Sequence, residues 1–91
     1  MLEQNYPNPF NPLTIIHYQL PIDNHVTLKI YNVLGQVVST LVDAVQTAGY
    51  KSAEWNASNF ASGVYFYRLD AISVTDHSKT FTQVRKMLLL R

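Results

Sequence analysis

The sequence contains no cysteine and only three glycines, and just 14% of its residues are charged. The absence of cysteine excludes disulfide bonds and cysteine-ligated zinc. No glycine-rich phosphate-binding loop is present, and no serine stands in a G-x-S-x-G nucleophile motif. The longest uninterrupted apolar run, residues 87–90, is far too short to span a membrane. These absences argue against an enzyme and against a transmembrane segment.

The ionisable residues are dispersed along the chain. The three histidines lie on different predicted elements, and none has a metal-ligand partner two or four residues away. The six carboxylates form no calcium-binding loop. Basic residues cluster only in the closing "VRKMLLLR", and the net charge is +1. We therefore expect no metal, no cofactor and no nucleic-acid partner.

The residues that are present favour one folded domain. Of the 91 residues, 47% are hydrophobic and 12% are aromatic, which is enough to fill a core in a single small domain. The first residues, "MLEQNYP", lack the basic-then-apolar pattern of a secretory signal. We expect the chain to be a domain of a longer protein whose signal peptide lies upstream.

Most of the chain alternates between apolar and polar residues with a period of two, the pattern of half-buried strands. The clearest case is "HVTLKIY", in which Val26, Leu28 and Ile30 are predicted to face the core. Asn and Gly in the following "NVLG" suit a tight turn, so residues 25–42 are predicted to form a β-hairpin. Further strands are predicted at residues 14–20, 50–56, 64–71 and 80–90. The chain is predicted to be all-β, an immunoglobulin-like antiparallel β-sandwich of about seven strands.

The first twelve residues have a different character. "NYPNPFNP", residues 5–12, holds three prolines and three asparagines in eight positions. Proline fixes φ and has no amide hydrogen, so this segment is expected to be stiff and extended rather than part of a continuous strand. We interpret residues 1–12 as the end of a linker and residues 13–91 as the sandwich, with Phe10 as a plug at its base. The alternative is that the segment is a signature recognised by a partner.

Two aromatic residues are singled out as core positions. In "SGVYFY", Gly63 and Tyr65 have the spacing of a tyrosine corner, in which the hydroxyl would bond backbone within residues 59–62. The alternative is that Tyr65 is an ordinary core aromatic. Trp55 is the expected central side chain in either case. The core is predicted to contain Val26, Leu28, Ile30, Trp55, Tyr65, Tyr67 and Leu69.

The remaining aromatics and the closing strand leave alternatives open. Tyr6, Tyr31 and Phe66 could form a stacking platform for sugars or bases, or could simply pair across strands. The closing "TFTQVRKMLLL" is long enough for a β-bulge, which we predict near Lys86, where the alternation slips. Its cations would also protect an edge strand from unwanted pairing.

Taken in order, four stretches resemble the type A C-terminal sorting domain of type IX secretion. They are "LEQNYPNPFNPLTIIHYQLP", "VTLKIYNVLGQVVSTLV", "WNASNFASGVYFYRL" and "VRKMLLLR", and they cover nearly the whole chain. The resemblance implies a non-enzymatic immunoglobulin-like domain at the end of a protein exported by Bacteroidetes-like bacteria. It implies passage through the periplasm to the cell surface or the medium. The immunoglobulin-like domain of flagellar hook-capping proteins resembles two parts of these stretches, "YNVLGQVV" and "GVYFYRL".

The resemblance also implies recognition residues and partners. The recurring family features fall on Pro7, Asn8 and Pro9, on Gly63, Val64 and Tyr65, and on Lys86 with Met87, Leu88, Leu89 and Leu90. The implied partners are the outer-membrane secretion machinery, a sortase-like peptidase that cuts ahead of Asn5, and an upstream cargo domain. Two alternatives stay open: a structural spacer or assembly module like the hook-cap domain, and a small carbohydrate-binding module of a secreted hydrolase. The final Arg91 departs mildly from a family that often ends in Lys.

Overall fold

The chain, seen in a computed structural model that describes residues 1–90, is built from six β-strands. They are β1 (Leu13–Leu20), β2 (Asn24–Tyr31), β3 (Val37–Gln46), β4 (Gly49–Asn56), β5 (Gly63–Ser73) and β6 (Thr80–Leu89). The count is six where the sequence predicted about seven. Residues 1–90 include no helix that could cross a membrane. Arg91, the last cation of the closing segment, lies outside the described residues.

The strands form two antiparallel sheets, which confirms the all-β prediction. β1 pairs with β4 in a two-stranded sheet, and the other four form a sheet in the order β3-β2-β5-β6. Side chains alternate between the two faces of a strand, so each sheet has one face toward the other sheet and one toward solvent. The arrangement is sandwich-like.

The core lies between the inner faces of the two sheets. All seven side chains that the alternation predicted to be buried are buried: Val26, Leu28, Ile30, Trp55, Tyr65, Tyr67 and Leu69. β1 adds Ile16, Tyr18 and Leu20 from its inner face, and β6 adds Met87 and Leu89. Burial of these apolar side chains is the main stabilising contribution to the fold.

The predicted hairpin is confirmed by the pairing of β2 with β3, and its turn is stabilised by the Asn and Gly residues that predicted it. The side-chain oxygen of Asn32 accepts hydrogen bonds from the backbone N–H of Leu34 and of Gln36, both at 3.0 Å. Gly35 has a φ of +79°, which glycine adopts without steric cost. β3 continues to Gln46, four residues beyond the predicted end of the hairpin at residue 42. As an edge strand it can be paired and still carry solvent-facing polar side chains.

The predicted bulge near Lys86 is wrong. β6 pairs with β5 in unbroken register, whereas the register shifts lie in the β2–β3 pairing, next to Leu28 and Ile30. The alternation of β6 slips because Gln83 and Arg85 occupy inward positions but bond to the backbone of Leu2. The Leu2 N–H donates to Gln83 Oε1 at 3.1 Å, and Arg85 Nε donates to the Leu2 carbonyl at 2.8 Å.

The N-terminal segment, residues 1–12, lies along the sandwich and passes from one sheet to the other. Its first half bonds to β1: the Glu3 N–H donates to the carbonyl of His17 at 3.0 Å, and Tyr6 exchanges two backbone bonds with Ile15. Its second half reaches β6, where Phe10 forms a bridge with Leu89. The pairing consists of single bridges because proline cannot donate to a ladder.

Candidate functional site

The three sequence elements that were expected to mark recognition meet at one end of the sandwich. The β5–β6 register places Gly63 opposite Leu89 and Val64 opposite Leu88. The Leu88 N–H in turn donates to Oδ1 of Asn8 at 3.0 Å. Residues far apart in the chain are thus immediate neighbours at this end.

This end is sealed by a cluster of four aromatic rings: Phe10, Trp55, Phe60 and Tyr65. The centroid of Trp55 lies 5.7 Å from Phe10, 5.4 Å from Phe60 and 5.3 Å from Tyr65, in tilted and edge-on arrangements. Such geometries are favoured over face-to-face stacking. Phe10 is buried, which confirms its prediction as a plug. We call this end of the molecule the closed end.

Gly63 and Tyr65 have separate roles in shaping the closed end. The Tyr65 hydroxyl donates to the carbonyl of Ala61 at 2.7 Å, inside the interval that the sequence predicted. Gly63 has a φ of +150°, a conformation that residues with a Cβ atom rarely adopt. The glycine therefore allows the loop to enter β5, and the tyrosine ties that loop to the core.

The predicted recognition residues of β6 divide between core and surface. Met87 and Leu89 are 1% and 0% exposed, so they belong to the core. Lys86 and Leu90 are exposed and Leu88 is half-buried. In the folded domain a partner can therefore contact Lys86, Leu88 and Leu90.

Lys86 lies on the outer face of the four-stranded sheet in an apolar setting. Phe66 is its direct cross-strand partner on β5, and Tyr31 is the partner of Phe66 on β2. Val84 precedes Lys86 on the same face of β6. Among residues 1–90, Lys86 forms no ion pair with a carboxylate. Its charge is available to a binding partner.

The outer backbone edge of β6 is covered next to Lys86 by the N-terminal segment. Gln4 Nε2 donates to the Lys86 carbonyl at 2.8 Å, and Phe10 exchanges backbone bonds with Leu88 and Leu90 at 3.0 and 2.9 Å. Pro7 and Pro9 are exposed on either side of Asn8. The proline-rich segment therefore shields the strand edge that carries the apolar run.

Tyr67 and Asn5 hold this segment in place, and sequence reasoning missed both roles. The buried Tyr67 hydroxyl donates to the Glu3 carbonyl at 2.7 Å and accepts from the Asn5 N–H at 2.8 Å. Burial raises the pKa of Tyr67, and the Asn5 hydrogen bond and the positive charge of Arg85 partly oppose that shift. The Asn5 side chain donates to Thr14 Oγ1 at 2.9 Å. Asn5 and Thr14 are polar residues at buried positions, and such residues need hydrogen-bond partners inside the fold.

The described residues hold no cluster of three or more potential metal ligands. His17 and His25 are exposed, and His25 Nε2 lies 2.9 Å from Asp43 Oδ1. Tyr31 and Phe66 are cross-strand neighbours, but Tyr6 bridges to Ile15 on the other sheet. The three aromatics therefore do not share one stacking platform.

Comparison with known proteins supports a specific family. A protein-family model described as "Secretion system C-terminal sorting domain" matches residues 4–84. No curated protein sequence matches the chain significantly. The crystal structure of CopC from Methylosinus trichosporium OB3b is similar, with a TM-score of 0.60 and 12% identity, over 98% of this chain and 91% of that chain. At that identity the likeness concerns the fold alone.

The family match spans both the proline-rich element and the Gly63-x-Tyr65 element, and residues 86–90 lie just beyond its end at residue 84. It covers far more than half of the chain, and it agrees with the motifs that meet at the closed end. The chain therefore belongs to the family of C-terminal sorting domains of the type IX secretion system.

Proposed function

We propose that this domain is a non-enzymatic address label that directs a cargo protein of the same polypeptide through the type IX secretion system. Family membership implies a secreted or cell-surface protein. We infer that the cargo crosses the periplasm, that its signal peptide lies upstream, and that the outer-membrane machinery binds the folded domain. An immunoglobulin-like architecture agrees with the tyrosine-corner bond from Tyr65 to Ala61.

The observation that carries this proposal is the convergence of Asn8, Gly63 and residues 86–90 at one end of the fold. The elements are separated in sequence, so a partner reads them together only in the folded domain. Lys86 is the exposed charged member of the set. We assign it as the residue that a partner contacts, with Leu88 and Leu90 beside it.

The same geometry bears on the sortase-like peptidase. A peptidase needs an accessible extended segment, but Met1, Glu3 and Tyr6 are already hydrogen-bonded to β1. We infer that the cut lies ahead of this paired segment rather than close to Asn5. No catalytic group is required in the domain itself, because the partner breaks the bond.

Export of a reporter tests the proposal. The domain is fused to the C-terminus of a periplasm-directed reporter in a host with a working type IX system, and reporter activity is measured in the medium. The wild-type fusion should be exported, and Lys86→Gln should reduce export while the melting temperature stays nearly constant. An exposed charge contributes under about 1 kcal/mol to folding.

Lys79→Gln is the matched control, since Lys79 is also exposed but immediately precedes β6, at the opposite end from Lys86. It should leave export unchanged. If the folded wild-type fusion stays in the periplasm, the sorting function is wrong and a spacer role is favoured. If Lys86→Gln alone is exported normally, the address function stands without this residue.

A further inference from the structure

Beyond Lys86, the outer face of the four-stranded sheet carries a patch of six side chains near the closed end. It is formed by Lys29 and Tyr31 of β2, Phe66 and Arg68 of β5, and Val84 and Lys86 of β6. The register places these residues in two adjacent rows: Tyr31, Phe66 and Lys86 in one, and Lys29, Arg68 and Val84 in the next. We call it the cationic patch.

The charges on this face are segregated. The patch holds three cations, whereas the carboxylates on the same face, Asp43 and Asp70, lie in the row beyond it. Asp43 is paired with His25, and Asp70 accepts from Arg68 Nε at 2.9 Å. Within residues 1–90, Lys29 and Lys86 have no carboxylate partner. The patch therefore has two uncompensated positive charges on a chain whose net charge is +1.

The position of Lys29 opposes stability. It lies directly across from Arg68 in the β2–β5 pairing. Like charges directly opposite each other destabilise a sheet. Folding alone does not favour this arrangement, so a role in binding accounts for it better.

The patch also has a concave element. The β2–β3 turn stands beside Phe66, Arg68 and Val84 and leaves a cleft of about 330 Å³, lined on the turn side by Asn32 and Val33. The cleft is open to solvent and its lining includes Tyr31, Phe66 and Val84, so an apolar side chain of another protein can enter it, whereas a flat lipid surface would leave it unfilled. Gln4 and Phe10 cover the β6 backbone edge beside Lys86, so a partner contacts the outer face of the sheet and does not pair with that edge.

We propose that the cationic patch docks an acidic protein segment of the export machinery. Its carboxylates pair with Lys29 and Lys86, and an apolar side chain enters the cleft beside Phe66. Charge complementarity sets the encounter rate and the orientation of such complexes. This inference rests on the proposed sorting function and adds to it the face that is bound and the chemistry of the partner.

Lys29 gives the decisive test because it is absent from the family features. In the reporter assay, Lys29→Gln should lower the export rate about fivefold, as expected for a charge lost from a complementary interface. Its melting temperature should stay constant or rise, because the repulsion with Arg68 is removed. Lys29→Arg should retain export, and Lys79→Gln is again the matched control.

The outcomes separate this inference from the function on which it rests. A wild-type fusion that is not exported overturns both. Normal export of the wild type, of Lys29→Gln and of Lys79→Gln overturns the docking patch and leaves the sorting function intact. Reduced export of Lys29→Gln with a lower melting temperature also overturns it, since folding would then be the cause.

A photo-crosslinking residue at position 84, on the β6 side of the patch, identifies the occupant in exporting cells. Position 52 on the outer face of the other sheet is the control. Support requires a crosslink to an Asp- or Glu-rich protein segment from position 84 that is absent from position 52 and is lost with Lys29→Gln. Adducts to lipid alone, or equal protein adducts from both positions, overturn the proposal.

Discussion

The two ends of this sandwich are built differently. At the closed end, Trp55 packs against three other rings with centroid distances of 5.3 to 5.7 Å. At the opposite end, which we call the open end, there is a cleft of about 420 Å³, lined by residues that include Leu20, Ile22, Ala71 and Phe81. The family elements meet at the closed end. A rigid, well-packed end can hold a recognition surface in one geometry, which a loosely filled end cannot.

The largest effect should come from the centre of the closed end. Trp55→Ala removes a buried indole and the contacts of three neighbouring rings, which should cost about 3–5 kcal/mol of the free energy of unfolding. For a domain of this size that is a large part of the total stability. Urea denaturation measures it. A variant that melts within a few degrees of the wild type would show that the aromatic cluster does not stabilise this end.

The contrast between the ends also explains what the sequence could predict. β2 and β5 are the central strands of the four-stranded sheet, and each has one buried and one outer face. Apolar and polar residues therefore alternate regularly along these two strands, and the alternation predicted their buried side chains correctly. β3 and β6 are edge strands. Inward positions of β6 can meet backbone, as Gln83 and Arg85 do, so the bulge near Lys86 was predicted wrongly. The end of β3 was missed because its last residues pair with β2 while their polar side chains face solvent.

In the candidate site, too, local contacts could be predicted from the sequence and long-range contacts could not. The bond from Tyr65 to Ala61 spans four residues, and a local motif was enough to predict it. The bond from Leu88 to Asn8 spans 80 residues, and no local spacing encodes it. Lys29, Arg68 and Lys86 lie together on one face because of the order of the strands in the sheet. The alternation of apolar and polar residues does not specify that order.

A second prediction concerns the attachment of the N-terminal segment between the two ends. Tyr67→Phe keeps the ring but leaves the Glu3 carbonyl and the buried Asn5 N–H without their partner. Leaving two such groups unsatisfied should cost about 2–4 kcal/mol. Hydrogen exchange should show faster exchange at Tyr6 and Phe10 than in the wild type. Unchanged protection there would mean that other contacts hold the segment.

Tyr67 also predicts how stability depends on alkaline pH. Burial raises the pKa of its phenol in the folded state above the ordinary value of about 10. The folded state therefore holds the phenol proton more tightly than the unfolded state. The stabilisation that comes from protonated Tyr67 is complete below about pH 10 and is lost as the pH rises through the pKa of the folded state. Burial also raises the pKa of Tyr18, so Tyr67→Phe should reduce the alkaline loss without abolishing it. Urea titrations at about pH 8 and about pH 11 measure the alkaline loss of stability in the wild type and in Tyr67→Phe. An identical alkaline loss in both proteins would contradict this assignment.

A smaller effect is expected for the corner bond at the closed end. Tyr65→Phe retains the ring contacts with Trp55 but leaves the Ala61 carbonyl without the hydroxyl. The part-buried bond should be worth about 1–2 kcal/mol, measured as a shift of the urea midpoint at constant slope. No measurable shift would make Tyr65 an ordinary core aromatic.

The smallest effect should come from the open end. Phe81 is 37% exposed and lines the cleft, so Phe81→Ala removes apolar contact but creates no closed cavity. The lost burial should cost about 1 kcal/mol, well below the cost of Trp55→Ala. Because Phe81 lies far along β6 from residues 86–90, export of the reporter should be unchanged. A loss of 3 kcal/mol or more would be on the order of a core truncation, and it would mean that the open end is as tightly packed as the closed one. A loss of export at normal stability would place the recognition surface at the open end instead.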